Sequence, residues 1–224
     1  MAITRLGPNQ SVNLASNITG TLPVGNGGIG IASGTTDQFL KFTGTTTLAS
    51  AADNAGGLVL ITETNISGTG AFDIDNLFSS TYRDYKVIGS GLKQATDNTH
   101  WIFQFRYSST TVSSGYYWAG VGARNTGSAV DAGEEGGTDF SIISNAASDT
   151  HSTSFDMTLY DPYGYQVSKN YTCIAGGRRS GDGGHLISTS GFLPNDTRMT
   201  GLRFNVDNGN MTAGNIKVYG IKGS

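Results

Sequence analysis

One cysteine, Cys173, stands in the whole of this 224-residue chain. An intrachain disulfide is therefore excluded, and so is a zinc site built on paired cysteines. Charge is also scarce: 14% of residues are Asp, Glu, Lys or Arg, against roughly 25% in ordinary globular domains. The net charge is −3, and the pair Arg178-Arg179 is the longest basic run. Nucleic-acid binding through phosphate contacts needs a basic patch, which is missing, so no nucleic-acid partner is expected. There is no run of about 18 apolar residues, so no membrane insertion is expected. The first residues, Met1-Ala2-Ile3-Thr4-Arg5-Leu6-Gly7-Pro8, lack the charged and then apolar pattern of a signal peptide, and synthesis in a cytoplasm is expected. Helical spacing of apolar residues is absent beyond a turn or two.

Glycine is abundant, at 33 of 224 residues, and Ser, Thr and Asn are frequent. This is a strand-and-turn composition with an uncharged polar surface. Ten Tyr, ten Phe and two Trp supply large core side chains and argue against disorder along the whole chain. The segment 18–31 combines both traits. Ile18, Leu22, Val24, Ile29 and Ile31 need burial, while Gly25, Gly27, Gly28 and Gly30 permit close backbone approach. One thin chain cannot bury those side chains against itself, but several copies wound together can. Residues 1–56 are accordingly read as an extended, irregular N-terminal stem that oligomerises. The small, polar residues Ala51-Ala52-Asp53-Asn54-Ala55-Gly56-Gly57 mark its end, and residues 57–224 form a separate head.

The element Leu22-Pro23-Val24-Gly25-Asn26-Gly27-Gly28-Ile29-Gly30 resembles the Leu-Pro-Val-Ala-Asn-Gly-Gly-Thr-Gly element of tailed-phage fibre and virion adhesin proteins. It departs at Gly25 and Ile29. Thr36 to Gly44 is similar to the segment that often follows that element. Gly214-Asn215-Ile216-Lys217-Val218-Tyr219-Gly220-Ile221-Lys222 resembles the closing strand of small phage jelly-roll modules. The run Ser79-Ser80-Thr81-Tyr82-Arg83-Asp84-Tyr85 looks like one of their early loops. The resemblance implies a virion location, a homotrimer, contacts with other virion proteins through the N-terminal segment, and contact with a host surface.

Within 57–224 the pattern is short alternation between turn residues. Trp101, Phe103, Phe105 and Tyr107 share one face of an expected strand, with Gln104 and Arg106 pointing outward. Phe155, Met157 and Leu159 repeat the pattern, as do Leu202, Phe204 and Val206, and Ile216 and Val218. Further strands are expected over 57–63, 85–91, 116–123, 138–144, 170–176 and 185–190, with one helical turn within 75–81. About ten strands point to an all-β, antiparallel β-sandwich, jelly-roll-like in topology.

Little points to catalysis. His100, His151 and His185 have no spacing partner, so no metal is expected. Cys173 lies in an expected strand and reads as a buried, inert thiol. Glu134-Glu135 is read as a solvated loop, because glycoside hydrolysis needs two carboxyls facing one bond. Asp207-Asn208-Gly209-Asn210 is read as a hairpin turn. Residues 176–184 are read as a glycine-rich loop whose Arg178 and Arg179 suit an anionic sugar or phosphate. The remaining binding signal is aromatic. Tyr116, Tyr117 and Trp118, and Tyr163 and Tyr165, lie at or near expected loops, where rings stack on sugars, although such rings also serve cores and interfaces. No catalytic residue and no cofactor is expected. The reading is a non-enzymatic virion protein, a short tail fibre or adhesin that contacts a host-surface glycan. A capsid-decorating or head-fibre protein without a receptor is the alternative.

Overall fold

A computed structural model describes residues 38–42, 48–51, 57–146, 151–165, 168–179 and 183–222, with the side chains of Ala51, Val130, Asp131, Ser144, Asn145 and Arg179 left aside. Ile18, Leu22, Val24, Ile29 and Ile31 lie outside the described residues. The chain divides into two compact units, Met1–Ala55 and Gly56–Ser224. In the first, β1 (Phe39–Phe42) and β2 (Leu48–Ala51) pair as an antiparallel hairpin. Phe39, Leu40 and Phe42 on it are exposed.

The second unit is all-β. Its strands are β3 (Leu58–Ile66), β4 (Ala71–Ile74), β5 (Asp84–Gln94), β6 (Thr99–Tyr107), β7 (Thr110–Thr111), β8 (Tyr116–Arg124) and β9 (Ala129–Gly137). Then come β10 (Phe140–Ala146), β11 (Thr153–Tyr160), β12 (Ser168–Arg179), β13 (Gly183–Pro194), β14 (Gly201–Val206) and β15 (Met211–Ile221). Every pairing is antiparallel. The larger layer runs β3-β15-β5-β11-β12-β13-β8-β9, and the smaller runs β10-β6-β14-β4 with β7 beside β6. The layers join at one register pair, Ala146 with Arg179. The result is an antiparallel β-sandwich, as the alternation predicts.

The core forms between the layers because each strand turns alternate side chains inward. Phe155, Met157 and Leu159 of β11 are buried, while Ser154, Asp156 and Tyr160 are exposed. Rings meet across the sandwich: Phe103 and Tyr171 at 5.0 Å, Phe140 and Tyr171 at 4.4 Å, Phe155 and Phe204 at 6.2 Å. Such edge and offset contacts add to plain apolar burial. The indole N–H of Trp101 donates to Gln94 Oε1 at 2.7 Å, which satisfies both buried groups. A bulge in β5 carries Gly91 at φ 62. It gives β5 one extra residue against β11 and locally bends the strand.

Several expectations on the faces and turns change. Arg106 does not point into solvent. It is 5% exposed, under Asp73 and Asp75 of the β4 side and the β6–β7 turn. Tyr107 is exposed, because it lies at the strand end beyond the core. No helical turn occurs within 75–81. Asp207 to Asn210 is not a hairpin turn: β14 and β15 sit in different layers, so this segment carries the chain from one to the other. Residues 176–179 and 183–184 are strand rather than loop. Glu134 and Glu135 lie in β9, which sequence reading missed because Ala, Gly, Asp and Glu are poor strand formers. Among the described residues, β8 is the only neighbour of β9 in the sheet.

Limited proteolysis is expected to cut between Ser50 and Gly57 and to leave a folded β fragment. A fragment without β circular dichroism would show that the second unit depends on the first.

Candidate functional site

The larger layer turns one face outward, and that face carries aromatic residues at one end. Tyr160, Asn170, Phe192 and Tyr117 are register partners in a row across β11, β12, β13 and β8. Tyr117 and Phe192 lie opposite one another, with ring centroids 5.0 Å apart and planes 4° apart. Beside them is a groove of about 460 Å³, lined by Tyr117, Trp118, Glu134, Glu135, Ser190 and Phe192. A second volume of about 460 Å³ shares Ala119 and Ser190 with the first and continues past Ser188, Val121 and Ala132. Gly133 faces Ala119 in register, so it adds no side chain to the floor. The indole N–H of Trp118 is buried and has no hydrogen-bond partner among the described residues.

Tyr116 is placed differently from its neighbours. It is fully buried, donates to the Val112 carbonyl at 3.0 Å and accepts the Phe105 N–H at 2.9 Å. Burial raises its pKa well above the usual phenol value. Tyr116 is a core residue and drops out as a surface contact.

Tyr163 and Tyr165 lie in the β11–β12 connection, at the same end of the layer. The residue that meets them is Arg198, from the β13–β14 connection, which no sequence signal marked. Its guanidinium carbon is 4.0 Å from the Tyr165 ring centre and 5.1 Å from that of Tyr163, within cation–π range. A cleft of about 260 Å³ here is lined by Ser79, Tyr82, Arg83, Asp161, Tyr163 and Arg198. Below it, Lys169 is fully buried and donates from Nζ to the Gly164 carbonyl. Burial lowers its pKa, and the charges of Asp161 and Asp196 oppose that shift.

Arg178 and Arg179 do not join these tyrosines. They sit at the other end of β12, roughly 33 Å from Ser168 at the usual strand rise. Arg178 Nη1 donates to His151 Nε2 at 2.6 Å, and the Arg179 side chain is outside the described set. Of the binding candidates read from sequence, Tyr117, Trp118, Tyr163 and Tyr165 thus lie at one end of the larger layer, Tyr116 lies in the core, and Arg178 and Arg179 lie at the other end.

The groups associated with catalysis are dispersed. Cys173 is buried and its thiol is pushed up to about 12, so the thiolate form is scarce at neutral pH. His100 lies 3.9 Å from Asp207, His151 lies beside Arg178, and His185 is buried in β13. Among the described residues, no group of three His, Cys, Asp or Glu side chains is arranged for a metal. Nor is any helix there long and apolar enough to cross a membrane. Comparison with family models, with curated proteins and with solved structures finds no match in any of the three.

Proposed function

We propose that this protein is a tailed-phage attachment protein, a short tail fibre or adhesin. Its N-terminal segment holds it to the particle and to its own copies, and its β-sandwich meets the host surface. The observation that carries this reading is where the sandwich is tethered. The Lys222 N–H donates to the Gly57 carbonyl at 2.9 Å, and Leu58 pairs with Ile221. The chain therefore enters the second unit, and its last described strand leaves, at one end. Through Asp84 that end is in register with Tyr160, Asn170, Phe192 and Tyr117, so the aromatic end is the tethered one and the loops at the opposite end of the strands are the ones farthest from the tether. The resemblance of residues 22–30 and 214–222 to virion proteins supports the same reading.

Trimer formation suits the exposed apolar residues near the entry point. Leu58, Val59, Leu60 and Ile61 are 36–51% exposed on β3, an edge strand. Such an edge invites unwanted pairing in a monomer and is normally covered or broken up. Three copies would also turn weak single contacts into strong attachment. The solution mass is expected to be that of three chains, and a stable monomer at micromolar concentration would reject the trimer.

A capsid-decorating role is the second reading. The exposed apolar residues Val121, Ile174 and Leu186 on neighbouring strands of the outer face favour it, since they suit packing on another protein. Free protein is expected to bind host cells and to block infection. Binding to empty capsids without binding to cells would replace the adhesin reading with the decorating one.

A further inference from the structure

We propose that the cleft lined by Arg83 and Arg198 binds a small phosphate monoester, of the size of a sugar phosphate. The cleft lies at the tethered end of the sandwich, where Asp84, Tyr160 and Ile221 are in register, so it stands apart from the adhesin reading.

The walls come first. Three connections meet there, and backbone hydrogen bonds tie them together. The Leu77 N–H donates to the Thr200 carbonyl at 2.7 Å, which joins the β4–β5 connection to the β13–β14 connection. The Met199 N–H donates to the Pro162 carbonyl at 3.0 Å, which joins the β13–β14 connection to the β11–β12 connection. The buried Tyr85 hydroxyl accepts the Ser79 N–H at 2.8 Å and donates to the Ser79 carbonyl at 3.1 Å. Connections fixed in this way hold a preformed cleft of about 260 Å³. Drug-sized ligands use roughly 300–1,000 Å³, so this cleft takes a smaller one.

Arg198 comes second. Its guanidinium carbon lies over Tyr165 at 4.0 Å and over Tyr163 at 5.1 Å. A guanidinium stacked on rings presents its face to them and keeps its edge, with five N–H donors, for another partner. Neither Arg198 nor Arg83 has a side-chain hydrogen bond or an ion pair among the described residues. Arg198 is therefore held in place with its donors unspent, and binding costs it little rotamer freedom.

Charge and shape select the ligand. Two guanidiniums line the cleft against one carboxylate, Asp161. That carboxyl lies against Gly164 of its own turn, and the buried Lys169 donates to the Gly164 carbonyl. Asp161 and Asp196 both act on Lys169, opposing the burial that lowers its pKa. Asp84 is the other acid nearby, and its Oδ1 accepts the Asp161 N–H at 3.0 Å. A carboxylate ligand has two oxygens, which one guanidinium fork fills. A phosphate monoester has three free oxygens and close to two negative charges, so it engages both arginines. Ser80 and Tyr82, which line the same cleft, offer hydroxyls to the alcohol groups of a sugar ester.

The test is a phosphorus NMR titration of glucose phosphate with the full chain at low ionic strength. A saturable shift of the phosphorus resonance is expected. Glucuronate is expected to compete about tenfold more weakly, because it fills a single fork. Arg198→Lys keeps the charge but removes the fork, and is expected to weaken binding about tenfold. Arg83→Gln is expected to weaken it by a similar factor. Lys93→Gln, at the opposite end of β5 from Asp84, is expected to leave binding unchanged. Circular dichroism and melting temperature check that the variants fold. Arg83 and Arg198 are both exposed, so either variant serves if the other does not fold. Equal loss in Lys93→Gln and the arginine variants overturns the site in favour of diffuse charge attraction. Equal competition by glucuronate overturns the phosphate assignment. Equal binding of inorganic phosphate overturns the ester assignment. Absence of any shift overturns the site.

Discussion

Phe103→Ala is expected to destabilise the protein by about 3–5 kcal/mol, the usual range for removing a large ring from a core. Phe103 has no solvent exposure and lies within ring contact of Phe105, Phe140, Tyr171 and Phe204. Tyr171 belongs to the larger layer and the others to the smaller, so the cavity would open at the seam between layers. Rings fixed on both sides by paired strands cannot collapse far into the space. Thermal melting measures the loss. For a domain of this size each kcal/mol shifts the midpoint by about 2–4 °C, so a fall of roughly 6–20 °C is expected. Gln104→Ala is the control on the same strand. Gln104 is partly exposed, and its Nε2 donates to the Thr138 carbonyl at 2.9 Å. Its loss is expected to cost no more than about 1 kcal/mol. Equal, small effects at both sites would show that the face assignment of β6 is wrong.

Arg106→Met is expected to cost about 2–3 kcal/mol and to alter the response to acid. The guanidinium offers five N–H donors. They reach Asp73 Oδ2 at 2.9 Å, Asp75 Oδ1 at 2.8 Å and Asp75 Oδ2 at 3.2 Å, Thr111 Oγ1 at 2.8 Å and the Ser109 carbonyl at 2.7 Å. Breaking a pair buried on both sides costs about 3–5 kcal/mol. Here the two carboxylates are about one-third exposed, so water compensates in part and the loss is smaller. Arg106 also braces the β6–β7 turn, where Ser108 and Ser109 hold φ of 47° and 65°. Hairpin turns with two such residues favour Asn and Gly, so two serines need outside support. The acid response follows from Asp75. Its hydrogen bond to Arg106 is the largest cause that holds its carboxyl below the usual carboxylate value. The stability this supplies is present above that usual value, near pH 4, and is lost as pH falls through the lower folded value. Arg106→Met is expected to remove that part of the acid-dependent loss. Urea titrations at neutral pH and at about pH 3 measure it, and an unchanged difference between the two pH values would reject the assignment.

The sandwich was legible because burial on one face of a strand writes itself into sequence with period two. Trp101, Phe103 and Phe105 in β6, and Phe155, Met157 and Leu159 in β11, needed no partner to be recognised. Arg106 was not legible. Its place on the strand predicts an outward side chain, and the carboxylates that cover it, Asp73 in β4 and Asp75 just after it, come some thirty residues earlier. The binding face failed for a related reason. Tyr163 and Arg178 are near in sequence, but a straight twelve-residue strand, β12, carries them apart. Phe192 and Arg198 are far in sequence from the rings they meet, and no local pattern announces a partner across a sheet. β9 was hidden by composition, since Ala129–Gly137 reads as a loop until β8 supplies its ladder.

That the sandwich begins at Gly57 and closes at Ile221 on the same end has an evolutionary consequence. A unit with neighbouring entry and exit points can be exchanged whole, because its replacement has only to span a short gap. Recombination that joins at the codons near residue 57 would give the N-terminal part a new head without disturbing anything upstream. A lineage built this way can replace the whole outer face in one event, whereas point substitutions would alter that face a side chain at a time.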